Sequence, residues 1–312
     1  MPRPPGVTVG GQAVIEGVMM RAPTAWSVAV RRPDGVIEAR RQPLPRLSAR
    51  STWAKVPFVR GVLVLGESLT LGFRALSWSA RKAGVEEDGK ELTTGSIVLA
   101  MAFAFVLFVG LFMLLPLAAA RGFERLAGTD SSIVFNIVDG VVRIGLFVGY
   151  IWLIGRSKDI QRVFEYHGAE HKTIHSYEAG EPLSVEEIQK HSPRHPRCGT
   201  NFLLIVILIA IVVFTAIGRP SILWLIASRI VLIPVIAGVA YEVLKAAADR
   251  RWMSAASRPG IWLQHLTTAE PSDDQVEVAV ASLLAALDDD ERVALEARGP
   301  IAPGALGYEV WS

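Results

Sequence analysis

Long apolar blocks dominate the pattern of this chain. A helix needs about 20 predominantly apolar residues to cross about 30 Å of hydrocarbon, and four blocks reach that length: 94–120, 131–155, 199–217 and 222–247. The first contains no charge, and the third is almost purely aliphatic. The second contains Asn136, Asp139 and Arg143, and the fourth contains Arg229 and closes near Tyr241 and Glu242. Runs of this kind are rare in soluble helices. The pattern therefore predicts a mainly α fold built on a four-span transmembrane helical bundle over residues 94–247.

Outside the blocks the period changes. In the N-terminal segment, 1–60, Trp26-Ser27-Val28-Ala29-Val30 alternates, Pro33-Asp34-Gly35 supplies turn chemistry, and Val36-Ile37-Glu38-Ala39 resumes, which predicts a small β-rich element. Upstream, glycines bracket an apolar strand in Gly10 to Arg21; they allow close backbone approach, and Glu16 and Arg21 are candidate site residues. Residues 61–93 begin apolar but hold Glu67 and Arg74, and predict an amphipathic helix lying at the membrane interface. In the loop 156–198, Asp159 to Tyr177 has a helical pattern, whereas Pro182, Pro193 and Pro196 make the second half irregular. In the C-terminal segment, 248–312, Ser272 and Gln275 form a capping box ahead of an apolar face of Val276, Val280, Leu283 and Leu284, and the tail past Gly299 is expected to be loose.

Charge orients the bundle. Arg74, Arg81, Lys82 and Lys90 precede the first block, seven basic residues from Arg156 to Arg197 fill the loop between the second and third, and Lys245, Arg250, Arg251 and Arg258 follow the fourth. The opposite loops hold only Arg121 and Arg125 in one and Arg219 in the other. Basic flanks stay inside, so both termini and the long loop are expected on the cytoplasmic side of the cell membrane. With 32 basic and 30 acidic side chains there is no basic excess that would point to nucleic acid. A single cysteine, Cys198, excludes an intrachain disulfide framework. Residues 1–11 are not apolar enough for a signal-peptide core.

Charges inside the spans are costly unless paired. Asp139 and Arg229 lie at similar depth, roughly 11 Å in at about 1.5 Å per residue, so they can pair. Asn136, Asp139 and Arg143 share one helix face, which serves either a structural ion pair or a transport path. Gly145 and Gly149 form a G-x-x-x-G pair suited to a close helix contact.

The densest chemical signal is histidine. Five of the six histidines, His167, His171, His175, His191 and His195, lie in the cytoplasmic loop, followed by Cys198. The first three are four apart and stack along one helical face. His167-Gly168-Ala169-Glu170-His171 fits the H-x-x-E-H pattern, in which two histidines hold zinc and the glutamate acts as general base. Glu242 is a candidate downstream ligand. Imidazole and thiolate together favour zinc, and a mixed carboxylate–imidazole set also takes manganese or iron. The candidate metal ligands are thus His167, His171, His175, His195, Cys198 and Glu242, with Glu170 as the candidate catalytic base. A straight continuation of the second span would carry His167 roughly 18 Å from Glu242, so a kink near Gly155 or an extension of the fourth span is required.

Gly10 to Arg21, Pro57-Phe58-Val59-Arg60-Gly61, Glu165 to Lys172, His195 to Thr200, Tyr241-Glu242 and the stretch from Pro259 to Pro271 together resemble the YqhQ-like bacterial membrane proteins. That resemblance implies a multi-pass membrane protein described as a predicted metal-dependent enzyme, with a metal site through His167, Glu170, His171, His195 and Cys198 and with Gln264 and Glu270 nearby. It supplies no substrate.

The resulting expectation is a membrane metal-dependent hydrolase working at the cytoplasmic face. The alternatives are a metal-ion transporter or sensor, and a non-catalytic scaffold with a structural metal. Expected partners are the lipid bilayer, a lipid, peptide or small-molecule substrate, and a second copy of the chain as a homo-oligomer.

Overall fold

A computed structural model describes residues 8–44, 56–83, 94–217, 221–249 and 254–311. Lys90, Arg219, Arg250 and Arg251, which entered the charge argument, lie outside the described residues. The fold is mainly helical, with an N-terminal antiparallel sheet.

Four strands, β1 (Gly10–Val14), β2 (Gly17–Arg21), β3 (Ala25–Arg31) and β4 (Ile37–Pro43), form a meander in sequence order. Both faces of the sheet are covered, so its apolar residues divide between two cores with a period of two. Helix α1 (Val59–Ala83) packs Leu71, Ala75 and Trp78 against Val14, Met19, Trp26, Val28 and Val30. The other face, with Val18, Met20, Ala29 and Ala39, meets the histidine-bearing helix and a C-terminal helix. The predicted interfacial helix is therefore half committed to the sheet. Its opposite stripe, Val62, Leu69, Phe73 and Leu76, stays exposed.

Two helices among the described residues are long and apolar enough to cross a membrane, Val98–Ala127 and Ser132–Ile154. The first comprises α2 (Thr94–Val109), a π-helical turn (Gly110–Leu114) and α3 (Leu115–Ala127). Pro116, which has no N–H to donate, sits just past the π turn, and such turns absorb a missing ladder bond. The second is α4 (Ser132–Ile154). The third block forms α7 (Thr200–Ile217), of which Leu204–Ile217 counts as a shorter apolar helix. The fourth block is not one helix. It breaks at Leu232 into α8 (Ile222–Val231) and α9 (Ile233–Asp249), because Pro234 cannot continue the hydrogen-bond ladder of the preceding turn.

The second block ends at Ile154. Gly155 caps α4, and a new helix, α5 (Lys158–Ala179), starts behind Ser157. The helix is interrupted there, and the ring of Phe164 lies against Gly155, 3.1 Å from where a Cβ would stand. A short helix, α6 (Val185–Gln189), is all the regular structure in the proline-bearing second half of the loop.

Past the apolar helices come α10 (Ser254–Thr267), α11 (Asp273–Ala286) and α12 (Asp289–Glu296). The Ser272–Gln275 capping box is present. Helix α11 is buried on every side rather than on one face: Val276, Val278, Val280, Leu283 and Leu284 are all at most 1 % exposed. It spans the core between sheet and α5, and Ser27 Oγ donates to Ser282 O at 2.6 Å. The tail past Gly299 is ordered instead of loose. Ala302 and Ala305 enter the core, and β5 (Glu309–Trp311) pairs in parallel with β4.

Candidate metal centre

Four segments meet at the histidines: α5, the outer edge of β1, the turn 193–199 that leads into α7, and the end of α10. Gly168 makes the last approach feasible. A Cβ there would stand 2.0 Å from Ala269 O, and Ala269 N–H donates to Phe164 O at 3.0 Å. The glycine of the H-x-x-E-H segment is thus a packing requirement.

Backbone carbonyls fix the imidazoles. His167 Nδ1 is 2.8 Å from Thr267 O, and His171 Nδ1 is 2.7 Å from Pro193 O. A carbonyl only accepts, so both rings carry their proton on Nδ1 and keep a lone pair on Nε2. His167 Nε2 lies 3.3 Å from Cys198 Sγ. Ligand atoms of His167, His171 and Cys198 all fall within 4.8 Å of one another. Tetrahedral zinc with bonds of about 2.1 Å to nitrogen and about 2.3 Å to sulfur separates its ligand atoms by about 3.4–3.7 Å. The donor set fits such an ion.

Glu170 lies beside them, its carboxylate 3.4 Å from His171 Nε2. It also accepts the Gly11 N–H from the edge of the sheet, and a Cβ on Gly11 would come within 3.0 Å of this side chain and 2.5 Å of Met19 O. Burial pushes the Glu170 carboxyl up to about 8, opposed chiefly by His167. Burial holds His171 down to about 2, with His167 adding to the effect, and His195 down to about 4. Burial also raises the Cys198 thiol, against the opposing hydrogen bond that Thr200 Oγ1 donates at 3.3 Å. Each shift resists charge: burial favours the neutral rings of His171 and His195 and the protonated forms of Glu170 and Cys198. A cavity of about 110 Å³ opens between Gly10, Gly11, Glu170, His171, His195 and Cys198.

The other candidates are placed differently. His175 points Nε2 at Arg194 O, 3.0 Å away, and its ring touches those of His195 and His191. His195 accepts the Arg197 N–H on Nδ1 at 3.2 Å and faces Glu178 with Nε2 at 3.5 Å, so its lone pair is in use although it lines the cavity. Glu242 is not with the cluster. Arg60 grips it through Nε, at 2.7 Å, and Nη2, and Phe58 N–H donates to it at 3.3 Å.

Gln264 is buried and clasps the His195 backbone in both directions, at 2.8 and 3.0 Å. Glu270 pairs with buried Lys172, which also donates to Gln189 O at 3.0 Å. Of the upstream candidates, Glu16 is held by Arg162 and Arg21 lies near Glu67, so neither enters the cavity. Gly10 and Gly11, which precede both, do line it, and their pairing was the signal for it.

A family model described as "Protein of unknown function (DUF1385)" matches residues 56–289. The "Uncharacterized protein YqhQ" of Bacillus subtilis (strain 168) is 34% identical over 291 residues, covering 88% of this chain and 90% of that one. No solved structure matches. The chain belongs to the DUF1385 family and is similar along most of its length to the YqhQ protein, in line with the resemblance its histidine, glycine and cysteine motifs carry.

Proposed function

We propose that this protein is a multi-pass membrane metalloenzyme, a hydrolase whose site faces the cytoplasm. The convergence of His167, His171 and Cys198 beside Glu170 carries the reading. Two imidazoles and a thiolate favour zinc over harder ions, with manganese or iron as alternatives. Such an ion supplies Lewis acidity and makes water a better nucleophile near neutral pH. The remaining work falls to the chain. The Thr267 and Pro193 carbonyls hold the two rings in one tautomer, as outer partners of metal ligands do. Glu170, ionised once positive charge stands beside it, takes the proton of the attacking water. Gly11 N–H keeps that carboxylate aimed into the cavity.

Four spans and cytoplasmic termini complete the proposal. Two helices of spanning length, two shorter apolar helices and outward-facing Leu99, Phe103, Val141, Val212, Leu223 and Val231 support membrane embedding. The exposed stripe of α1 then lies at the interface, and Trp152, with the Arg156 guanidinium 3.5 Å from its ring centre, marks the inner end of α4. Cys198 lies two residues before α7, which supports a site at headgroup level, within reach of a lipid headgroup, a membrane-proximal peptide or a small polar molecule.

The test is metal analysis by plasma mass spectrometry on detergent-purified protein beside a His167→Ala/His171→Ala variant. Near-stoichiometric transition metal that disappears in the variant is expected. Absence from both, even after incubation with zinc, manganese and iron, overturns the reading. Glu170→Gln then separates an enzyme, which loses turnover and keeps metal, from a scaffold.

A further inference from the structure

A second polar cluster lies far along α4 from the histidines and has the wrong charge balance for a structural pair. Asp139 and Arg143 sit one turn apart on α4, and Arg229 approaches from α8. Both guanidinium groups use the same carboxylate oxygen: Asp139 Oδ2 is 2.9 Å from Arg143 Nη2 and 3.2 Å from Arg229 Nη2. Asp139 and Arg229 are 3 % and 4 % exposed. Among the described residues, Asp139 Oδ1 and Arg229 Nε are buried without a hydrogen-bond partner. The surroundings are apolar, with the Phe214 ring centre 4.4 Å from the Arg229 guanidinium and Ile211 packed on Gly140.

Two positive charges thus face one negative charge inside an apolar helical bundle. An arginine does not relieve the excess by losing its proton, and protonating Asp139 would enlarge it. A single arginine is enough to neutralise Asp139, and among the described residues no second carboxylate pairs with Arg143 or Arg229, which leaves one positive charge for a partner from outside the bundle. Arg143 is the accessible member, its side chain 18% exposed, with Arg229 sealed behind it.

We propose that Arg143, backed by Arg229, binds an oxyanion of the phosphate class. The planar guanidinium fork matches two oxygens of a phosphate, which a halide does not offer. The same chemistry comes from free phosphate or from a phospholipid headgroup drawn in along α4. This site needs only the apolar bundle and is independent of the metal.

The full chain, delipidated in an uncharged maltoside detergent, is heated with inorganic phosphate, with dioctanoyl phosphatidylglycerol, with dioctanoylglycerol and with chloride at matched ionic strength. Phosphate or phosphatidylglycerol raises the unfolding temperature of the wild type, and Arg143→Gln weakens the apparent affinity at least about tenfold, as expected for one charge-assisted bond. Arg143→Lys restores part of it. A response to phosphatidylglycerol alone assigns the headgroup, and a response to both assigns the free anion. Equal responses to chloride or dioctanoylglycerol overturn the proposal. So does a wild type indifferent to all four, or a dimer lost in Arg143→Gln without any anion response, which would give the counter-charge to a second copy. If Arg143→Gln does not fold, a phosphorus signal in wild-type ³¹P NMR that does not change on titration overturns it equally.

Discussion

His167 Nε2 and Cys198 Sγ stand 3.3 Å apart across 31 residues of sequence, the ring held through Nδ1 by Thr267 O and the sulfur accepting from Thr200 Oγ1. Removing either donor costs the proposed ion a direct bond. Cys198→Ala is expected to lower zinc affinity by at least about 100-fold while leaving the fold intact, because the thiol is small and sits at a cavity wall. Competition with a chromophoric chelator measures it. Unchanged affinity would remove Cys198 from the ligand set.

Glu242→Gln should leave metal content unchanged, since Arg60 and Phe58 engage that carboxylate instead. The expected effect is on the contact between α1 and α9, read as faster proteolysis between residues 56 and 83. Loss of metal in this variant would return Glu242 to the site.

For metal-free protein, the buried acid sets a pH dependence. Glu170 is raised from 4.5 to about 8, so between those values the folded chain holds a proton that the unfolded chain releases. Stability therefore falls as pH rises through that window. His171 and His195 are depressed, to about 2 and about 4, and remove stability only as pH drops below about 6.5. From pH 6.5 to 8 the glutamate is the group of the three that acts. The wild-type denaturation midpoint should decline over this interval, and that of Glu170→Gln should stay flat. A parallel decline in both would contradict the assignment.

Gly168→Ala drives a methyl group into Ala269 O. Overpacking of this kind costs about 1–3 kcal/mol. Here it also moves α5 off the end of α10, where Thr267 orients His167. Loss of stability and of metal together, by urea denaturation and metal analysis, is the expected result.

Asp139→Asn strips the carboxylate that bridges Arg143 and Arg229. Breaking a buried pair from one side costs about 3–5 kcal/mol, so the variant should unfold at clearly lower temperature in detergent. An Asp139→Leu/Arg229→Met double variant should recover much of that loss.

Periodic side-chain patterns were the legible part of this chain. Alternation announced β3 and β4, four-residue spacing put three histidines on one face, and equal depth paired Asp139 with Arg229. What stayed hidden depends on backbone groups and distant segments. The Thr267 and Pro193 carbonyls that select the histidine tautomers belong to any residue type and leave no mark in composition. Glu242 was drawn to the histidines by chemistry alone, and nothing in sequence separation revealed that Arg60 would claim it. Pro234 was a readable break that the hydropathy of its block concealed. The order of the tail past Gly299 rests on a parallel strand partner 271 residues earlier, which local propensity does not encode.

The sheet of residues 10–43 and its central helix, 273–286, close one core from the two ends of the chain, with every apolar helix made between them. A ribosome releases the strands first and their covering helix last. Until then Met20, Ala29 and Ala39 have half their wall missing, and Glu165 lacks the Gln275 amide that donates to it at 2.8 Å. Assembly of this protein is consequently ordered: the apolar helices must be in place before the histidine-bearing module can shut. A chain stalled or truncated before residue 273 would leave that apolar face of the sheet without its covering helix, open to chaperones and proteases.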